Sequence, residues 1–195
     1  MHLNNQIIMK QTSFAILAIL ILVSCSKETR RTADISDMDM EFHIQRFDSA
    51  FWNIDTTNTE ESMMLLAAKY PELAQLYVEK IMLMGRIGSD TAATEFRNFH
   101  KYPAVIDVYN STLNFYKDLS DIEQELKPAL LRLRVFLPQL QIPEFYTHIS
   151  FFNQNIIVGN GFISLSLDNY MGPDYCFYDS IGVYTYLRQN MHREK

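Results

Sequence analysis

From Met40 to Gln45 the chain alternates: Met40, Phe42 and Ile44 are apolar, while Glu41, His43 and Gln45 are polar. That is the period of a half-buried strand. The alternation breaks at Arg46-Phe47-Asp48, where the chain is expected to turn into a short helix ending near Trp52. Helical spacing then takes over. Asn58 with Glu61 three residues on fits a capping box, and Met63, Met64, Ala67 and Ala68 follow as one apolar face. Pro71 stands at the first position of a second helix, where proline is tolerated. Leu73, Leu76, Tyr77, Val78 and Ile81 give that helix its core face, and Gly85 and Gly88 end it. Two further helices are expected between Ser89 and Tyr116, with a break at Tyr102-Pro103. Ser120, with Glu123 three residues on, caps a helix in which Leu126, Leu130, Leu133 and Leu137 recur. Pro128 lies inside that pattern and should kink it or mark a break. Pro138 and Pro143 close the helical region.

The last third changes period. It is rich in Ile, Phe, Tyr and Val with turn residues between the runs, so strands are expected over about 145–151, 155–158 and 162–167. Gly159-Asn160-Gly161 supplies the positive backbone angles of a tight hairpin. The pattern gives an α+β domain, mainly helical in its first two-thirds, with a small, largely antiparallel sheet near the C-terminus.

Ahead of this domain lies a different pattern. Lys10 precedes a run that is almost wholly apolar, 13 residues over 12–24. A bilayer core needs about 20 residues, so the run reads as a signal peptide rather than a spanning helix. It stops at Leu22-Val23-Ser24-Cys25, which resembles the lipobox of bacterial lipoproteins. The resemblance implies that the Cys25 thiol receives diacylglycerol and becomes the first mature residue. Several acyl chains on one cysteine satisfy the requirement for more than one membrane-binding element. Residues 26–38 have no apolar periodicity and read as a polar tether. The organisation is therefore a lipoprotein signal over 1–25, the tether over 26–38, and one domain over 39–195. Ser26 after the cysteine, where an aspartate would favour inner-membrane retention, points to the outer membrane, with the domain facing the periplasm.

Composition narrows the chemistry. The chain is 48% apolar and 13% aromatic, enough for a packed core. Its formal charge of -6 becomes -7 once Lys10 is removed, and no basic face is visible, which excludes nucleic acid as a partner. The histidines at 43, 100, 148 and 192 are isolated, and no His-Glu-x-x-His occurs. No Gly-x-Ser-x-Gly elbow and no phosphate-cradling glycine loop occurs either. His43 falls on the polar face of its strand as a solvated side chain, and His148 reads as a hydrogen-bonded strand histidine. The methionines between 63 and 84 read as core filler rather than a soft-metal site. Cys176, flanked by Tyr175 and Phe177, reads as a small buried hydrophobe. Asp168 and Asp174 flank Tyr170 and are the pair that a carboxylate-based hydrolase would use. Tyr146, Tyr170 and Tyr175 are the aromatic residues that would line a small-ligand pocket. No metal, cofactor or catalytic set is assigned.

The residues after Cys25 resemble the gliding-motility lipoprotein GldB family. The resemblance is carried by Arg46-Phe47-Asp48, by the proline-started helix at Pro71, and above all by the segment from Phe145 to Tyr175. Leu167, Asp168, Tyr170, Gly172, Asp174 and Tyr175 match a Leu-Asp, Tyr-x-Gly, Asp-Tyr pattern. The resemblance implies an envelope lipoprotein, held to the membrane through Cys25 and working with protein partners of a motility or secretion complex, without a catalytic residue. The family is also distantly similar to zinc peptidases in its strand-then-helix layout, so a degenerate peptidase or a ligand-binding module stays as the alternative. Its members continue beyond the position of Lys195, which makes this chain an expected C-terminal truncation.

Overall fold

A computed structural model describes residues 33–192. The chain divides into two units, Met1–Asp34 and Ile35–Lys195. Of the first only residues 33 and 34 are described. The second holds every helix and strand among the described residues. Lys10, the apolar run over 12–24 and Cys25 lie outside the described residues.

Strand β1 (Ile44–Gln45) is shorter than the alternation suggests and leads directly into α1 (Phe47–Trp52). Then come α2 (Thr59–Lys69), α3 (Pro71–Gln75) with a π-helical turn over Leu76–Ile81, α4 (Asp90–Phe99), α5 (Pro103–Phe115) and α6 (Ser120–Phe136). Strands β2 (Glu144–His148), β3 (Ile156–Gly159) and β4 (Phe162–Ser166) come next. A 3₁₀ turn (Asp168–Tyr170) and two single-turn helices, α7 (Phe177–Ser180) and α8 (Thr185–Arg188), close the fold. The α+β class is as the sequence suggests.

The sheet is mixed rather than largely antiparallel. Its order is β1-β2-β4-β3; β1 and β2 pair in parallel, as do β2 and β4, and only β3 and β4 are antiparallel. In a plain meander β3 would sit between β2 and β4. Here it is displaced to the edge, and β2 and β4 pair along five residues, with Ser164 of β4 also bonded to His148 of β2. Phe145 and Tyr146 of β2 point to opposite faces, as neighbours in a strand must, and they enter different cores. On one face Tyr146, Ile157 and Phe162 join Phe47, Phe51, Tyr77, Phe96 and Tyr109 from the helices. On the other, Phe145 and Ile44 meet Leu130 of α6, Leu167 and Tyr178.

Several local expectations are revised by packing. On α2, Met63 and Leu66 are buried, while Met64 and Ala68 are exposed. Asn58 donates its amide to Glu61 rather than capping a backbone N–H. Ser120 is inside α6 rather than its cap: the Asp118 carboxylate accepts from both its N–H and its hydroxyl, each at 2.9 Å. Pro128 neither breaks nor ends α6, which runs on to Phe136. The helix leaves the core as it proceeds: Leu130 and Leu131 are buried, and Leu137 is exposed. Strand β2 stops at His148 rather than at 151. Cys176 is exposed, not buried.

The hairpin between β3 and β4 turns on Asn160 and Gly161, and only Gly161 has the left-handed angle, φ +81°. Gly159 serves a different purpose. A Cβ there would sit 2.0 Å from the Phe162 ring and 2.8 Å from a Glu72 carboxylate oxygen. That carboxylate, from the first turn of α3, accepts from the Asn160 N–H at 3.2 Å and ties the hairpin to the helices.

Candidate functional site

Arg46, Asp48 and Asp168 lie around the ends of β1, β2 and β4. Asp48, at the start of α1, is 1% exposed. The Arg46 guanidinium grips it in a fork, Nε to Oδ1 at 2.9 Å and NH2 to Oδ2 at 2.6 Å. The Thr147 hydroxyl on β2 donates to its Oδ1 at 2.5 Å. Arg46 uses its other arm on the Tyr116 carbonyl. Phe47 between them is fully buried, its ring edge-on to Tyr70 and Tyr77 at centroid distances of 5.3 and 5.1 Å. The Arg-Phe-Asp triplet thus pins α1 to the sheet, with one side chain in the core and two in a buried ion pair.

Asp168 comes directly after β4 and is 0% exposed. Its Oδ1 accepts from the Ser150 N–H at 3.2 Å and the Ser166 hydroxyl at 2.5 Å; its Oδ2 accepts from the Phe152 N–H at 2.7 Å. The two N–H donors come from the loop after β2, where Phe151 and Phe152 both take left-handed angles, φ 56° and 64°. Such angles are costly for non-glycine residues; here the carboxylate holds the loop that adopts them. Burial pushes the Asp168 carboxyl above the ordinary range, against the pull of the three donors.

A second network lies alongside. His148 Nε2 must donate to the Gln154 carbonyl at 3.2 Å, since a carbonyl only accepts, so Nδ1 accepts from the Ser164 hydroxyl at 2.9 Å. Burial lowers the His148 pKa to about 4. The Ser150 hydroxyl lies 2.9 Å from that of Ser166 and 3.0 Å from the Gln154 carbonyl. Tyr77 donates to the Ile149 carbonyl and lies 2.8 Å from the Tyr109 hydroxyl. Burial drives both phenols well above their ordinary range.

The later motif closes this region from outside. Leu167 is buried, and Tyr170 presents its carbonyl to the Tyr116 hydroxyl at 2.5 Å. Gly172 has φ +101°, which a side chain would strain, and its N–H donates to the Met191 carbonyl at 3.0 Å. The Tyr175 hydroxyl meets Ser111 of α5 at 2.7 Å. Tyr178 donates to the Asp168 carbonyl at 3.0 Å and accepts from the Met171 N–H at 3.1 Å; its pKa is pushed up to about 12 by burial. Tyr116 joins the two motifs, its carbonyl taking Arg46 and its hydroxyl reaching Tyr170.

Asp168 is enclosed while Asp174 is exposed, with the left-handed Gly172 between them in the chain. Tyr146 lines an open depression of about 510 Å³ with Tyr70, Glu72 and Glu144, which neither Tyr170 nor Tyr175 lines. A second depression, of about 560 Å³, is lined by Met82, Phe99, Phe151, Phe152 and Ile181. Among the described residues no group of three or more His, Cys, Asp or Glu is placed to hold a metal, and no helix is long and apolar enough to cross a membrane. The sequence pattern did not reveal Thr147, Ser150, Ser164, Ser166 or Tyr109, and it placed Tyr77 in the core without its hydroxyl's partners. Small hydroxyls in a strand carry little signal alone, although Ser164 and Ser166, two apart, place two hydroxyls on one strand face.

What the fold and this region define is an α+β domain in which the buried Asp48 and Asp168 are held by groups of the same chain. A family model described as gliding motility protein GldB matches residues 28–195. The chain belongs to that gliding-motility family. Searches among curated proteins and among solved structures each gave no match.

Proposed function

We propose that this chain is an outer-membrane lipoprotein facing the periplasm. Lipid on Cys25 anchors it, and it acts without catalysis as an accessory or scaffold of a motility or secretion complex. The family assignment supports the motility role. The observation that carries the non-catalytic part is how the two buried aspartates are used. Each is fully engaged by groups of the same chain, Asp48 by Arg46 and Thr147, Asp168 by two backbone N–H groups and a hydroxyl. A general acid or base must reach a substrate proton directly or through one water, and neither carboxylate has an oxygen turned to solvent. Deleting the gene in its host and scoring surface movement, secretion and assembly of the complex tests the reading. Loss of these with the envelope otherwise intact is the expected result, and an unchanged phenotype would sink it.

A further inference from the structure

Helix α6 ends in a way the fold does not explain. Val135, Phe136, Leu137 and Leu140 are 41%, 57%, 52% and 45% exposed, close together at the helix tip. A monomer leaves single apolar residues exposed routinely, but a contiguous run at a helix end marks a contact surface. Along the sequence the charges beside it have one sign. From Lys127 to Pro143 the chain carries Lys127, Arg132 and Arg134 and no acid, in a protein of net charge -6. Helix-dipole compensation accounts for a cation in the last turn; it does not account for the bare Phe and Leu beyond it.

The segment from Asp39 to Ile44, which leads into β1, also runs along α6. Asp39 pairs with Lys127 at 2.5 Å, and the Ile44 N–H donates to Glu123 at 2.8 Å. At 1.5 Å per residue the tip at Phe136 is about 13 Å further along the helix from Lys127. The segment that leads back to Cys25 therefore enters the domain beside the same helix.

We infer that the α6 tip is a second, non-covalent membrane contact: Phe136, Leu137 and Leu140 seat in the interface of an anionic bilayer, and Arg132 and Arg134 lie at its headgroups. This geometry matches the two-part design of peripheral anchors, an apolar wedge with cationic flanks. The inference deepens the lipoprotein reading by setting how the domain lies on the membrane, and the tip's composition stands independently of Cys25.

The test uses the full-length chain with Phe136→Trp on phosphatidylethanolamine vesicles containing phosphatidylglycerol and brominated acyl chains. Trp52, the one native tryptophan, stacks on Tyr109 at 4.3 Å and serves as the reference. Fluorescence of the variant should shift to the blue and be quenched, with Trp52 alone unaffected in wild type. In a Cys25→Ala background the chain should still partition weakly. Arg132→Glu with Arg134→Glu should cut that partitioning by more than an order of magnitude, since each arginine near an anionic surface is worth about fivefold. Phe136→Ser with Leu137→Ser changes only exposed side chains and should abolish that weak partitioning at an unchanged circular dichroism spectrum. Vesicle-bound lipidated protein with an unquenched Trp at 136 overturns the inference and leaves the lipoprotein reading standing. So does a tip protected by a protein cross-link rather than by lipid. Quenching in protein whose intact mass carries no lipid at Cys25 supports the inference while removing the lipoprotein reading.

Discussion

Asp168→Ala removes the one acceptor that serves three donors on two segments. The Ser150 and Phe152 N–H groups lose their partner inside the protein, and the left-handed pair Phe151 and Phe152 loses the group that holds it. A buried donor left unsatisfied costs about 1–3 kcal/mol. Relief of the buried charge offsets part of two such losses, leaving an expected net of about 2–5 kcal/mol. Asp168→Asn restores one acceptor but turns an NH2 toward one of the two N–H groups, so it should fall between wild type and alanine. Asp174→Ala, at an exposed position, should stay within about 0.5 kcal/mol. Urea unfolding followed by circular dichroism measures all three. The pH dependence carries a sign. The folded Asp168 pKa is raised by burial, so its contribution is full below the unfolded carboxylate value. That contribution is lost as pH rises through the folded value, and wild type should lose its margin over Asp168→Asn in that window. Equal costs for Asp168→Ala and Asp174→Ala, or a loss under about 0.5 kcal/mol for the first, would refute the reasoning.

Other substitutions probe the same architecture. Arg46→Met strands the buried Asp48 and should cost toward the lower end of the about 3–5 kcal/mol of a broken buried pair, because Arg46 is partly exposed. Asp179→Asn weakens its pair with Arg188 while Arg188 keeps its two bonds to the Val183 carbonyl, so it should cost less than about 1 kcal/mol, read by the same urea midpoints. Gly159→Ala drives a Cβ into the Phe162 ring and should cost about 1–3 kcal/mol. Gly161→Ala meets no neighbour and should cost about 1 kcal/mol for its backbone angle alone; thermal melts separate the two. His148 is held neutral, so its folded pKa of about 4 lies below the ordinary 6.5. Stability should therefore be full above 6.5 and fall as pH drops toward 4, by on the order of 3 kcal/mol. His148→Gln should flatten that limb of the pH profile.

The elements were legible where local chemistry decides them. Pro71 and Pro103 start helices because a first-turn proline loses no hydrogen bond, and Asn160-Gly161 turns the chain because glycine takes a positive φ. Sheet order was not legible. Strand period says which residues share a face and nothing about which strand lies beside which, so the parallel pairing of β2 with β4 stayed hidden. Pro128 misled for a related reason: tertiary packing of Leu126 and Leu130 carries α6 through the missing hydrogen bond. In the site, Arg46, Asp48 and Asp168 were visible as charged residues amid apolar ones. Their partners Thr147, Ser150 and Ser166 were not, because a hydroxyl in a strand acquires its role only from what lies across the ladder. Asp174 was drawn in by its nearness in sequence to Asp168; Gly172 turns the chain between them.

The central claim is that function depends on the anchor and the folded surface, and not on chemistry at the buried carboxylates. Complementation of a gene deletion with Cys25→Ala and with Asp168→Asn, each adjusted to wild-type abundance, tests it directly through surface movement and secretion. The account predicts failure for Cys25→Ala and full rescue for Asp168→Asn. Rescue by Cys25→Ala, or failure of Asp168→Asn at wild-type abundance, would contradict it.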